Sequence, residues 1–96
     1  MGAIVRLPAF ETIGHGRRKW RVGVSVLPLS AFKAAVIRSF GESGGRLPAA
    51  FWSGSGDRGI YLRMDRTPNQ RVRDLRHELI HAVNDWLEAA YPDPED

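Results

Sequence analysis

The sequence predicts an α+β fold in which a small, mostly antiparallel sheet packs against two helices. Apolar and polar residues alternate in four short segments, as they do in strands. In two longer segments the apolar residues recur every three or four positions, as they do in helices. Glycine and proline separate these segments, and no connection has the length of an interdomain linker. We therefore expect a single domain over residues 1–96 with an acidic tail at 92–96.

The first two predicted strands form a hairpin. Residues 3–7 are rich in Ile and Val, and Pro8 indicates a strand end or an edge position, because proline cannot donate to a ladder. A glycine-flanked turn is expected at 13–17. The second strand covers residues 20–27, where alternation places four apolar side chains on one face: Trp20, Val22, Val24 and Val26.

The first predicted helix covers residues 31–40. We expect Ser30 to be its N-cap, because a serine hydroxyl can accept a hydrogen bond from the first turn. Gly41 is expected to end the helix as a C-terminal cap. The apolar face is predicted from four side chains at helical spacing: Phe32, Val36, Ile37 and Phe40.

The second half of the chain predicts two more strands and a long helix. The strands, at 49–52 and 60–64, are joined by a glycine-rich loop that lacks the Lys-Ser/Thr of a phosphate-binding loop. Thr67 is the expected N-cap of the helix and Pro68 its first residue. The helix continues to Ala90. Its predicted apolar stripe consists of Val72, Leu75, Leu79, Val83 (with Ala82), Trp86 and Ala90.

Composition excludes several classes of site. The chain has no cysteine, so disulfides and thiolate metal sites are excluded, and any metal must be held by imidazole and carboxylate. No apolar run approaches the roughly 20 residues that span a bilayer. The start of the chain does not have the pattern of a signal peptide. We therefore expect a cytoplasmic protein without a membrane partner.

The segment His77-Glu78-Leu79-Ile80-His81 has the spacing of a zinc site. Two histidines four positions apart project from one helix face, so their imidazoles can converge on one ion. Zinc lowers the pKa of a bound water to about 7, and Glu78 can accept its proton as the water attacks a carbonyl. His77 and His81 are therefore candidate metal ligands, and Glu78 is a candidate general base. The alternative is a structural histidine pair, but neither histidine lies on the predicted apolar stripe.

Residues 60–64, together with Leu75-Arg76-His77-Glu78-Leu79-Ile80-His81-Ala82, resemble the strand and active helix of zincin metallopeptidases. The resemblance covers about residues 30–90, and only the five-residue motif is highly specific. It implies a minimal zincin-like fold, Zn²⁺ as cofactor, His77 and His81 as ligands and Glu78 as base. It also implies that the strand with Ile60, Tyr61 and Leu62 is an edge that aligns an extended peptide substrate by strand addition.

The third protein ligand of a catalytic zinc site is not evident in the sequence. Asp85 lies one turn beyond His81, about 12 Å from His77 along the helix axis, which favours a role in orienting His81 over direct ligation. The other candidates are a ligand from another subunit and four residues of this chain: Glu88, Asp93, Glu95 and His15.

Three functions are compatible with these observations. The leading hypothesis is a zinc-dependent metallopeptidase that hydrolyses a peptide or protein substrate through a metal-activated water. The second is a noncatalytic interaction module on a degenerate zincin scaffold, since the third ligand is missing. The third is nucleic-acid binding, because the net charge is +3 and a basic cluster surrounds Trp20, which could stack on bases. That cluster consists of Arg17, Arg18, Lys19 and Arg21.

Overall fold

The computed structural model describes residues 2–12, 16–42, 46–55 and 58–90, and of residues 8–12, 16–19 and 90 it describes the backbone. Four strands and two helices follow one another along this part of the chain. They are β1 (Gly2–Thr12), β2 (Gly16–Leu27), α1 (Leu29–Phe40), β3 (Ala50–Ser53), β4 (Gly59–Arg63) and α2 (Pro68–Ala90).

The strands form one mixed sheet in the order β1-β2-β4-β3. The β1–β2 and β3–β4 pairs are antiparallel, whereas β2 and β4 are parallel. Parallel neighbours need a crossover connection, and the chain between β2 and β4 supplies one that contains α1. The α+β class is therefore confirmed, and two of the three strand pairings are antiparallel, as expected.

The two helices lie on opposite faces of the sheet. Alternation along β4 turns Ile60 and Leu62 toward α2, where they form one buried cluster with Ala82. Tyr61 faces the other way and packs with Phe32 of α1 in a second cluster. Neither helix of the described residues combines the length and the apolar character that crossing a bilayer requires.

The strand with Ile60, Tyr61 and Leu62 is not an edge. Each of these three residues is paired with β2 on one side and with β3 on the other. Their backbone groups are therefore engaged in the sheet on both sides, and strand addition needs a free row of such groups. The expectation that this strand aligns a substrate by strand addition is wrong. The strand order leaves β1 and β3 as the two edges, and β3 is the one that is paired with β4.

The β1–β2 hairpin is longer than the sequence predicts. Pro8 does not end β1, since the strand continues to Thr12 through an irregularity in the register between Leu7 and Phe10. Pro8 and Ala9 have no partner in the regular pairing with β2. A residue without an N–H is tolerated at such an irregularity. The expected turn at 13–17 is partly described: Gly16 and Arg17 belong to β2, and 13–15 lie outside the described residues.

The ends of α1 confirm one prediction and overturn another. Gly41 ends the helix, with φ of 80° and its N–H donated to the carbonyl of Ile37 at 2.8 Å. This is the backbone conformation in which a glycine avoids the strain of a β-carbon. Ser30 is not the N-cap, because the helix starts one residue before it; the cap is Pro28, without a side-chain hydrogen bond.

The apolar faces of both helices differ in part from the predictions. In α1, Ala35 is buried beside Phe32, whereas Ile37 and Phe40 are exposed. In α2 the predicted Val72 is also exposed. The helix reaches the sheet only after its first turns, so the stripe that packs on the sheet starts later than the periodicity suggests. Its members are Leu75, Leu79, Ala82, Val83 and Trp86.

The start of α2 is fixed by side-chain hydrogen bonds. Thr67 Oγ1 accepts a bond from the N–H of Gln70, and Gln70 Oε1 accepts one from the N–H of Thr67, which completes a capping box with Thr67 as the predicted N-cap. Arg66 donates two bonds to the buried carboxylate of Asp74, at 2.6 and 3.2 Å. Such a bidentate pair fixes orientation as well as distance. The connection from β4 therefore sets the direction in which α2 leaves the sheet.

The turn after β4 holds a second ion pair, between Arg63 and Asp65. Arg63 donates two hydrogen bonds to the Asp65 carboxylate, at 3.0 and 2.6 Å. These bonds favour the ionised form and lower the pKa of Asp65 from its ordinary value. Because the pair is exposed, we expect it to contribute little to the stability of the turn.

Gly59 at the start of β4 provides a stability test. A β-carbon there would lie 2.9 Å from the carbonyl oxygen of Gly23, a backbone atom that cannot rotate away. We expect Gly59→Ala to lower the free energy of unfolding by about 1–3 kcal/mol, as overpacking does. Thermal unfolding should show a decrease in Tm of about 4 °C or more.

The matched control for this prediction is Gly23→Ala, in the neighbouring strand. A β-carbon on Gly23 meets nothing within 4 Å, so its effect should stay within about 0.5 kcal/mol. Equal effects of the two substitutions would show that the close approach of β4 to β2 does not constrain this position.

Candidate metal centre

The position of the candidate site follows from the rotation of α2 on the sheet. Trp86 and Ala82 point into the interior, with 0% and 1% of their surface exposed. Trp86 also contacts Trp20 of β2 edge to face. With these residues directed at the sheet, the 100° step of the helix leaves His77 and His81 on an exposed flank. Both histidines are therefore accessible from solvent.

The two histidines converge. Their Nε2 atoms lie 3.2 Å apart, and their rings meet edge to face with centroids separated by 4.8 Å. At this distance one neutral imidazole can donate a hydrogen bond to the other. The same distance also suits two ligands of one ion.

The geometry and the donor set fit zinc. In a tetrahedral site with Zn–N distances of about 2.0–2.1 Å, two ligand nitrogens are about 3.3–3.4 Å apart. The observed separation of the Nε2 atoms of His77 and His81 is 3.2 Å. Imidazole nitrogen is a common ligand of zinc, and the chain has no thiolate to compete with it. Two of the four positions of such a site are therefore available from one turn of α2.

Glu78 differs from the histidines in being buried. Only 8% of its surface is exposed, and its Oε2 lies 4.0 Å from Nε2 of His77. Among the described residues no donor forms a hydrogen bond with this carboxylate. About 11% of the Glu78 side chain is exposed, and a nearby cation would favour its ionised form. The cluster of His77, Glu78 and His81, whose ligand atoms lie within 4.8 Å of one another, could hold such a cation.

Asp85 takes a different role from the one expected. Its Oδ2 accepts a hydrogen bond from Nε1 of Trp52 at 2.5 Å. No hydrogen bond joins Asp85 to His81, although both are described residues, so the expectation that Asp85 orients His81 is wrong. Asp85 instead connects α2 to the edge strand β3.

The third ligand is not found in the described part of the chain. Neither Asp85 nor Glu88 belongs to the cluster that could hold a metal. The other candidates of this chain, His15, Asp93 and Glu95, lie outside the described residues. The described cluster therefore offers two imidazoles and the adjacent carboxylate of Glu78.

Sequence reasoning missed the contribution of β3 to the site. The bond from Trp52 places this strand beside α2, on the flank of the helix that carries Asp85. The sequence contained one signal for it: β3 is shorter than the other strands and is flanked by Pro48 and Gly54, as expected for an edge. The partner of Trp52 has no local signal, since the two residues are 33 positions apart.

An apolar groove lies on another part of α2. It has a volume of about 360 Å³ and runs between the helix and the edge strand β1, where it is lined mainly by Val5, Leu7, Leu79, Ile80 and Val83. None of the three residues of the metal cluster lines it. The groove and the candidate metal centre are therefore separate features of the surface.

Comparisons with known proteins give no assignment. No protein-family model matches the chain, and the searches of curated proteins and of solved structures also find no match. The case for a metal centre therefore rests on the geometry of His77, Glu78 and His81.

Metal content tests this centre directly. We expect protein prepared without chelator or affinity tag to contain about one zinc per chain, and His81→Ala to contain none, since a single imidazole binds zinc weakly. Asp85→Asn is the matched control. It lies one turn further along the helix and is bonded to Trp52, so its zinc content should equal that of the unmodified chain.

Elemental analysis of the three proteins gives the answer. Absence of zinc from the unmodified chain would exclude the centre as a zinc site. Equal loss in both variants would show that the effect comes from disturbing α2 and not from removing a ligand.

Proposed function

We propose that this chain is a zinc-dependent metallopeptidase with a minimal zincin-like fold. The observation that supports the proposal best is the combination of two convergent imidazoles with the adjacent, largely buried carboxylate of Glu78. His77 and His81 would hold the ion, and Glu78 would act as general base. The remaining positions around the ion would be filled by water, by substrate or by a residue outside the described part.

The chemistry divides between the ion and the chain. When bound, zinc would supply a Lewis acid that polarises the substrate carbonyl and makes water acidic near neutral pH. Glu78 has the position of a proton acceptor, since its Oε2 lies 4.0 Å from Nε2 of His77 and so faces the site. Its burial limits competition from bulk water for the carboxylate. The exposed imidazoles leave the opposite side open to a substrate.

The edge strand β3 is the best candidate for aligning a peptide. It pairs with β4 on one side only, and the described chain provides no strand for its other side. An extended peptide that adds to this edge would continue the sheet. The Trp52–Asp85 bond connects the edge to α2 one turn beyond His81. A peptide on β3 would therefore run near the helix flank that carries the site.

A noncatalytic interaction module is the alternative function. It is favoured by one observation, that the described residues supply only two imidazoles and no third ligand beyond the cluster. Two such ligands hold zinc less firmly than three. In this case the β3 edge would bind a peptide without cleaving it, and Glu78 would not be required.

Glu78→Gln separates these functions. For the peptidase we expect peptide cleavage to decrease by about 100-fold or more, because the amide cannot accept a proton. Zinc content should be retained, since the imidazoles are unchanged. Cleavage can be followed by mass spectrometry on a mixed peptide library, with zinc measured in the same samples.

Glu88→Gln is the control, because Glu88 is an exposed carboxylate of the same helix outside the cluster. It should leave cleavage unchanged. Cleavage that survives in zinc-loaded Glu78→Gln would exclude Glu78 as the base. Loss of zinc in the same variant would instead identify Glu78 as a ligand.

A further inference from the structure

Charge is distributed unevenly along the chain. Residues 1–40 contain seven basic side chains and one acidic side chain, whereas residues 41–96 contain seven basic and ten acidic side chains. The net charge is therefore +6 in the part that forms β1, β2 and α1, and −3 in the part that carries the candidate metal centre. Such asymmetry between halves indicates a polyanionic partner for the basic half.

Most of this positive charge lies on the β1–β2 hairpin. Arg6 of β1 is directly opposite Arg21 of β2, and both are exposed. Like charges directly opposite in an antiparallel pair destabilise it unless an anion lies between them. Among the described residues no carboxylate forms an ion pair with either arginine. Three more basic residues, Arg17, Arg18 and Lys19, precede Arg21 in β2.

The hairpin has the form of a two-stranded ribbon. β4 pairs with β2 only over Val24–Leu27, which leaves Gly16–Gly23 paired with β1 alone. These eight residues extend over about 27 Å at the rise of an antiparallel strand. Alternation places Arg6 and Arg21 on the face opposite to Leu7 and Val22, which are buried on the α2 side. Both arginines are exposed, and Arg6 also borders the groove between β1 and α2. The basic face of the ribbon is therefore not covered by α2.

We propose that the β1–β2 ribbon binds duplex DNA through its phosphates. The major groove is about 12 Å wide and admits a two-stranded antiparallel ribbon. Arg6 and Arg21 would contact the phosphates on its borders. The sequence adds three more basic residues to the hairpin, with Glu11 as the only acidic residue between Gly2 and Leu27. This function is independent of the metal centre.

The packing of Trp20 favours a duplex over a single strand. Single-strand binding sites combine a basic groove with aromatic rings on which bases stack. Trp20 is the tryptophan of this ribbon, and its ring packs edge to face against the buried Trp86. It is therefore part of the interface with α2 and is not available as a stacking platform. For the described side chains of the ribbon the remaining attraction is the electrostatic one, which favours the higher phosphate density of a duplex.

Fluorescence anisotropy with a labelled mixed-sequence duplex of about 20 base pairs, two helical turns, tests the proposal. The full chain is used with a chelator present, so that the outcome does not depend on zinc. With up to five phosphate contacts, the logarithmic salt slope should approach about −4.5, and affinity should decrease up to about 500-fold between about 50 and 200 mM salt.

The decisive comparison is between two double variants of equal charge. Arg6→Gln with Arg21→Gln should make the salt slope shallower by about 1.8 and weaken binding at low salt by about 10-fold or more. Arg73→Gln with Arg76→Gln removes the same charge from exposed positions of α2 and should leave binding unchanged. Thermal unfolding confirms that both variants are folded, as expected for exposed side chains.

Four outcomes would overturn the proposal. They are no binding to the duplex at low salt, equal weakening by the two double variants, tighter binding to a single strand with the same number of phosphates, and binding to anionic lipid vesicles in preference to DNA. Binding to the duplex that depends on Arg6 and Arg21 and decreases steeply with salt would support it.

Discussion

The burial of Trp86 and Ala82 against the sheet is the interaction on which the candidate site depends. This burial fixes the rotation of α2 about its axis. That rotation in turn determines the directions in which His77, Glu78 and His81 point. A rotation of one residue step, about 100°, would bury an imidazole or expose Glu78. The capping box and the Arg66–Asp74 pair support the same arrangement from the start of the helix. The apolar packing therefore determines which side chains of the motif meet solvent and which do not.

Local features of the fold could be predicted from the sequence. The start of α2 follows from Thr67 and Pro68, and the end of α1 follows from Gly41, because each depends on hydrogen bonds within a few residues. The convergence of His77 and His81 could also be predicted locally, because two residues four positions apart on a helix project from the same face. The prediction for α1 was less accurate at its start, where Pro28 replaces the expected serine cap.

Features that depend on distant pairings could not be predicted in this way. The alternation in β4 shows that its two faces differ, but it does not show whether one or both of its edges are hydrogen-bonded. The crossover through α1 places β4 beside β2, and that leaves β3 as one of the two edges of the sheet. The bond from Trp52 to Asp85 depends on the same strand order. The convergence of the two histidines on α2 was therefore predicted correctly. The edge position of β4 and the partner of Asp85, which depend on the strand order, were not.

The placement of both imidazoles within one turn of α2 has a consequence for folding. A metal that bridges distant segments closes a long loop and so stabilises the whole fold, whereas a chelate between neighbouring turns closes only a short one. The isolated helix can already bring these two rings together, so the ion would have affinity for partly folded chains as well. An ion held only by these two imidazoles would link neighbouring turns of α2. Its release would remove no contact of the sheet or of α1. With water or substrate in the remaining positions, the stability of the fold and its metal loading would be largely separate properties.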